Sequence, residues 1–208
     1  MANIFIIAAP SGCGKTSLVK ALIEDSKNLS VSVSHTTRKA RQGEIDGENY
    51  HFASKETFEK MISNKEFVEY AEVFGNMYGT TKKNIKKKLD SNIDIILEID
   101  WQGARQVRQN IFDAISIFIL PPSKKALLER LTTRGQDDEI TISKRMENSE
   151  REMSHFNEFS YLIINDQFDS ALNNLRDIID DFENNIKNTE LLLENQLLRH
   201  KYLLKELI

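Results

Sequence analysis

Four near-continuous apolar runs divide the chain, at residues 4–7, 93–100, 115–120 and 161–165. Runs of this length, rich in Ile and Leu, predict strands buried on both faces. Between them the apolar period becomes helical. Leu18, Val19, Leu22 and Ile23 recur on one face after the first run, and Leu172, Leu175, Ile178, Ile179 and Phe182 after the last. Strands separated by helical segments predict an α/β fold with a parallel sheet covered by helices.

Residues 30–90 have a different texture. Residues 30–34 alternate polar and apolar as a half-exposed strand does, and further short strands are predicted at 50–52 and 67–74, with a turn over 75–80. A helix over 55–64 has Ser54 as N-cap and Phe58, Met61 and Ile62 on one side. Strands this short and polar predict a small separate sheet. The lysines at 82, 83 and 86–88 predict a solvated helix face. After Pro121-Pro122-Ser123 comes a helix over 124–132, then a highly charged segment, 134–156, whose lack of a sustained apolar face suits a mobile lid. The tail reads as one amphipathic helix. Ile186, Leu193, Leu197, Leu204 and Ile208 share a side, widened by Leu191, Leu192, Leu198 and Leu203. Such a stripe either docks on its own core or pairs with a second copy, and the sequence leaves both open.

The first strand and helix are joined by Ala9-Pro10-Ser11-Gly12-Cys13-Gly14-Lys15-Thr16-Ser17. A Gly-rich turn between a buried strand and a helix opening on Lys-Thr is a phosphate-binding loop. Its backbone N–H groups and the helix N-terminus receive an anion. Lys15 reaches the β- and γ-phosphates of a nucleoside triphosphate, and the Thr16 hydroxyl holds Mg²⁺. Ala9 stands where the pattern has Gly; as the smallest substitute it is expected to leave the loop intact. Asp100 closes the second run at the carboxyl end of its strand, where open α/β sheets bind ligands. Glu98, two residues earlier, is expected on the same face of the sheet.

Charge and cysteine content narrow the remaining classes. With 28 Lys and Arg against 32 Asp and Glu, the net charge is −4. There is no basic field for nucleic acid, and an anionic substrate must meet local arginines. A single cysteine, Cys13, excludes an internal disulfide framework. No leader and no bilayer-length apolar run is visible, so a soluble cytoplasmic protein without membrane contact is expected. The four histidines show no metal-ligand spacing.

The stretch Ser34-His35-Thr36-Thr37-Arg38-Lys39-Ala40-Arg41-Gln42-Gly43-Glu44, with Gly47 and Tyr50 beyond, resembles guanylate kinases. So do Gly75-Asn76-Met77-Tyr78-Gly79-Thr80, Glu98-Ile99-Asp100-Trp101-Gln102-Gly103, Arg134-Gly135, Arg145-Met146 and Ile164-Asn165-Asp166, in order and at family spacing to about Phe182. The resemblance implies a P-loop NTPase-type core with an inserted GMP-binding subdomain and a helical lid. The boundaries are a domain over 1–184 (core 1–33, 89–125 and 157–184; GMP subdomain 34–88; lid 126–156) and a helical extension over 185–208. It implies transfer of the γ-phosphate of ATP to GMP in purine nucleotide metabolism, with Mg²⁺, and dGMP as a further acceptor. Arg38 and Arg41 would clamp the GMP phosphate with the hydroxyls of Tyr50 and Tyr78. Guanine presents N1–H and a 2-amino group as adjacent donors, so its reader must be an acceptor. The resemblance puts Glu69 there, with Ser34 and Thr80 at the ring edge and Asp100 in the same site. Lys15, Arg38, Arg134 and Arg145, joined by Arg130, would stabilise the transferring phosphate, and Asn165 would contact ATP on its adenine side. The family commonly has Asp at Glu98 and often Ser at Thr80. Intact Lys15, Thr16, Arg38 and Arg41 separate this chain from guanylate-kinase-like binding modules that have lost catalysis.

Overall fold

Each apolar run forms a strand, and the helical patterns between the runs form helices. The computed structural model describes residues 2–73, 75–111, 113–133, 138–184 and 189–208. In chain order the elements are β1 (Ile4–Ala8), α1 (Lys15–Glu24), β2 (Leu29–Val31), β3 (His35–Thr36), β4 (His51–Phe52), α2 (Lys55–Ser63), β5 (Phe67–Val73) and β6 (Asn76–Thr81). There follow α3 (Lys82–Asp90), β7 (Asp94–Glu98), α4 (Trp101–Asn110), β8 (Ile115–Leu120), α5 (Lys124–Thr133), α6 (Glu139–Met153), β9 (Tyr161–Ile164), α7 (Phe168–Asn184), α8 (Leu193–Arg199) and α9 (Lys201–Leu207). The strands make a five-stranded sheet in the order β2-β7-β1-β8-β9 and a four-stranded sheet in the order β4-β3-β6-β5. The β2–β7 and β8–β9 pairs are parallel, as the alternation of strand and helix requires. Among the described residues no helix is long and apolar enough to cross a membrane.

Two units share this architecture, Met1–Ile6 with Lys27–Ile115 and Ile7–Ser26 with Ser116–Ile208. The first holds the small sheet. The expected strand over 30–34 is confined to Leu29–Val31, with β3 starting separately at His35. The turn expected over 75–80 is instead mostly strand. Gly75, at φ 73°, belongs to the turn, while Asn76–Thr81 pairs with β5 on one side and β3 on the other. No apolar alternation marks β6; its neighbours impose the extended backbone. Gly79 makes the pairing sterically possible, since a Cβ there would lie 2.9 Å from the Phe67 ring. The helix α2 is capped as expected, Ser54 accepting from the Thr57 N–H, and α3 buries only Ile85 beneath its lysines.

In the second unit α1 packs on α7, and Leu18, Val19 and Leu22 are buried together with Leu172, Leu175, Ile178 and Ile179. The tail is two helices rather than one, broken at His200 (φ −109°, ψ 24°). The buried positions are Leu191, Gln196 and Leu207, while Leu197, Leu198 and Ile208 of the expected stripe are exposed. Ile186 lies outside the described residues. Of the two arrangements left open by the sequence, the structure shows self-docking: the Leu162 N–H donates to the Leu191 carbonyl and the Leu193 N–H to the Ser160 carbonyl, beside a Tyr161–Leu192 bridge. The buried Gln196 amide is satisfied by the Glu190 carbonyl at 2.7 Å.

This docking reverses two leucines: Leu198, within the expected stripe, is exposed, and Leu207, outside it, is buried. Leu207→Ala should cost about 2–4 kcal/mol of unfolding free energy, and Leu198→Ala less than about 0.5 kcal/mol. Urea denaturation of both variants checks it; equal effects would place the docking face elsewhere.

Candidate functional site

The phosphate loop lies wholly within the second unit. Gly12 and Gly14 have φ of 87° and 90°, a left-handed backbone that favours glycine. Both are also sites of close approach: a Cβ on Gly12 would lie 2.7 Å from Leu131, and one on Gly14 would lie 2.8 Å from the Asn165 amide. Ala9 is not among the positive-φ residues, which explains why it can replace glycine at the loop entrance. Pro10 is buried, and the turn that follows is closed by the Cys13 N–H on its carbonyl at 3.1 Å. Gly14 is the N-cap of α1 and supplies no side-chain cap; no acidic residue follows in the first turn. The α1 N-terminus therefore keeps its positive end for an anion. Thr16 and Ser17 are exposed at this mouth and Lys15 is half-buried.

Around the loop stand Asn165, Arg130 and Arg145. Asn165, buried at the end of β9, donates its amide to the Cys13 carbonyl at 2.7 Å and accepts from Arg130 Nη2 on its own carbonyl at 2.9 Å. The side chain expected on the adenine side thus braces the loop. Arg130 Nη1 is buried without a hydrogen-bond partner among the described residues. Arg145, on α6, donates to the Ser11 hydroxyl at 2.8 Å. Arg134 lies outside the described residues.

A second group of site residues lies in the first unit. Glu69 and Thr80 are register partners across β5 and β6, both buried, and the Ser34 hydroxyl is 3.3 Å from that of Thr80. Glu69, 3% exposed, lies over the first turn of α4, where a Cβ on Gly103 would be 2.5 Å from its carboxylate. Asp100 lies beyond β7 as the N-cap of α4, accepting from the Gly103 N–H at 2.8 Å and the Gln102 amide at 3.1 Å. Strand alternation therefore stops at Glu98 and does not govern Asp100. Nearby, the Arg38 guanidinium forks onto Glu44 at 2.8 and 3.0 Å and sits 5.3 Å from the Tyr50 ring centroid. Tyr50 and Tyr78 meet edge to face at 5.9 Å. The Glu44 bond, chiefly, raises Arg38 further above its ordinary pKa, with a hydrogen bond donated to the Tyr78 oxygen adding to it. Burial, aided by the Glu98 charge, raises the Tyr50 phenol, keeping it a hydrogen donor at neutral pH. Arg41 is exposed, and its backbone N–H donates to Glu44 at 2.7 Å.

A sequence model described as Guanylate kinase matches residues 1–182. The chain belongs to the guanylate kinase family. The guanylate kinase of Saccharophagus degradans (strain 2-40) is 52% identical over 206 residues, 99% of this chain and 97% of that protein. That of Vibrio vulnificus (strain YJ016) is 55% identical over 179 residues, 85% of this chain and 86% of that protein. Among solved structures, the guanylate kinase from Anaplasma phagocytophilum superposes with a TM-score of 0.71 at 31% identity, over 97% of this chain and 95% of that chain. The guanylate kinase match ends within α7, whereas the Saccharophagus relative aligns with nearly the whole chain.

Several residues in this guanylate kinase scaffold escape sequence reasoning. Gln106 bridges both backbone groups of Tyr70, at 3.1 and 2.7 Å, and the Asn110 amide donates to the Val68 carbonyl at 3.0 Å. With Gly103 they form one face of α4 along β5, the strand that carries Glu69. Nothing in their residue types announces this; only the i, i+3, i+7 spacing hints at it. Glu44 had a clearer signal, an acid three residues from Arg41 in a Gly-rich turn. Among the described residues no cluster of three or more His, Cys, Asp or Glu could hold a metal ion.

Cys13, despite its place before a helix N-terminus, is buried, and burial pushes its thiol up to about 12 against the smaller opposing pull of Arg130 and Lys15. At pH 8 only on the order of one molecule in ten thousand carries the thiolate. Native protein should therefore resist iodoacetamide at pH 8 and be labelled once unfolded in urea. Rapid native labelling would refute the buried placement.

Proposed function

We propose that this chain transfers the γ-phosphate of ATP to GMP, giving ADP and GDP, with the phosphate loop holding the donor and the residues around Glu69 and Arg38 holding the acceptor. ATP:GMP phosphotransfer is the reaction of the family. The observation that carries the acceptor assignment is the pairing, on one small sheet, of a buried carboxylate flanked by hydroxyls with a guanidinium–phenol cluster. The first reads a base edge that offers two adjacent donors; the second clamps a phosphate. Glu69 accepts from guanine N1–H and the 2-amino group, Ser34 and Thr80 meet the O6 edge, and Asp100 supports the base side. Arg38, Arg41, Tyr50 and Tyr78 hold the phosphate. All these assigned contacts are to base and phosphate, which supports dGMP as a second acceptor.

The GMP phosphate is largely ionised at neutral pH, as phosphate monoesters are, so its oxygen needs no dedicated base before attacking the γ-phosphorus. The β–γ bridging oxygen departs with ADP. What the protein supplies is position and charge. Lys15 and the loop N–H groups hold the β- and γ-phosphates, Arg130 offers its buried Nη1, and Arg145 and Arg134 complete the cationic surround. Arg38 neutralises the phosphate that receives the group. Mg²⁺ fits this donor set. It binds through substrate phosphates with few protein oxygens, and the exposed Thr16 hydroxyl is the hard oxygen at the loop. When bound, it neutralises charge on the β- and γ-phosphates. The setting is cytoplasmic purine nucleotide metabolism.

ADP release measured with ATP and Mg²⁺ against GMP, AMP, CMP and UMP tests the reading, and turnover with GMP alone is expected. Turnover with another acceptor would overturn the guanine site. Lys15→Ala should lower kcat by about three orders of magnitude or more. Glu69→Gln replaces an acceptor pair with one acceptor and one donor. It should raise KM for GMP by about 100-fold while leaving KM for ATP within about twofold. Equal changes for both substrates would remove Glu69 from base recognition.

A further inference from the structure

One residue of the phosphate loop, Ser11, has all of its polar groups engaged by a single helix. Its N–H donates to Glu152 Oε2 at 3.0 Å, its carbonyl accepts from the Ser149 hydroxyl at 3.2 Å, and its hydroxyl accepts from Arg145 Nη2 at 2.8 Å. Residues 145, 149 and 152 recur at i, i+4 and i+7, one face of α6. Ser149 is fully buried, as is Met153. This face holds no extended apolar stripe; its contact with the loop is made by polar groups with donors and acceptors matched.

The placement sorts the loop amides. The Ser11 N–H is turned onto a carboxylate, and the Cys13 N–H closes the turn on the Pro10 carbonyl. These two amides fix the loop; the α1 N-terminus that follows presents its positive end to the anion. Fixing Ser11 before nucleotide arrives removes conformational freedom that binding would otherwise have to remove. Two of the three contacts are charge-assisted, Arg145 onto the hydroxyl and the backbone N–H onto Glu152, and of these only Glu152 holds the backbone itself.

We propose that Glu152, supported by Ser149, is a positioning residue for ATP: α6 sets the geometry of the phosphate loop through Ser11. The proposal rests on the reading of that loop as the ATP site. Glu152 touches neither substrate in this role, and its effect reaches ATP through the backbone of Ser11.

Steady-state kinetics for each substrate, thermal unfolding and hydrogen exchange of the segment containing Ser11 test it on the intact chain. Glu152→Ala should raise KM for ATP by about tenfold, the loss of one charge-assisted hydrogen bond. It should leave KM for GMP within about twofold and speed exchange at Ser11. Glu152→Gln keeps an acceptor oxygen and should recover most of the ATP affinity and the exchange protection. Ser149→Ala should raise KM for ATP by about threefold. If Glu152→Ala does not fold, Ser149→Ala still decides: an unchanged KM for ATP in that variant overturns the proposal. Equal rises for ATP and GMP, in step with a lower melting temperature, would show a merely structural role and also overturn it. Lys15→Ala is the separate control. If it binds ATP normally, the ATP-site reading itself fails; if it loses ATP while Glu152→Ala keeps it, only the positioning role of Glu152 fails.

Discussion

The phosphate loop takes its shape from two close approaches, Gly12 against Leu131 and Gly14 against the Asn165 amide. Both glycines have left-handed backbone, and both have a neighbour where a Cβ would lie. The neighbours are themselves fixed by the core, since Leu131 is a buried residue of α5 and Asn165 ends a buried strand. A loop that must receive a highly charged ligand therefore owes its form to packing and backbone geometry. Its cations are placed around that form, with Arg130 anchored through the Asn165 carbonyl and Arg145 on Ser11. The buried, protonated Cys13 thiol follows from the same constraint: it occupies the core beneath the loop, and its Sγ lies 3.5 Å from the Ile119 carbonyl.

The acceptor residues are held by the opposite means. Here the frame is electrostatic and polar: Arg38 forks onto Glu44, the Arg41 N–H meets the same carboxylate, and Ser34 meets Thr80. Glu44 is held below the ordinary carboxylate range, first by its hydrogen bond from Arg38, so it remains an acceptor across the neutral range. A guanidinium already planar and oriented gives up little freedom on meeting a phosphate. The small sheet has few buried apolar residues of its own, among them Phe67, stacked at 4.5 Å on Phe58 of α2, and relies on such polar pairings for definition.

Features legible in the sequence are those encoded within a few residues. The strand, glycine turn and helix of the phosphate loop obey local rules, as do the Ser54 cap and the buried runs. What was illegible depends on partners distant in the chain. β6 carries no alternation because β5 and β3 define it. Asp100, read as closing its strand, is instead the cap of α4, which starts one residue later. The tail leucines fit one helical stripe on paper, but Leu207, outside that stripe, is buried against the core, and Leu198, within it, is exposed. Gly103, Gln106 and Asn110 acquire meaning only when α4 lies along β5. Glu152 looked like one more charge in a charged segment, because its partner is a backbone N–H far away in sequence.

Both sheets end in a strand whose outer edge is occupied by the same chain. Gln106 and Asn110 take the backbone groups of Tyr70 and Val68 on β5, and residues 191–193 take those of Ser160 and Leu162 at β9. An uncovered edge is a template for pairing with a foreign strand, so these contacts also guard against aggregation. The two guards are alike in timing. Gln106 and Asn110 follow the end of β5 by 33 and 37 residues, and residues 191–193 follow the end of β9 by 27 to 29, so each edge stays open on the ribosome until its guard has been made. The nascent chain therefore passes through a window of vulnerability that the finished protein does not have.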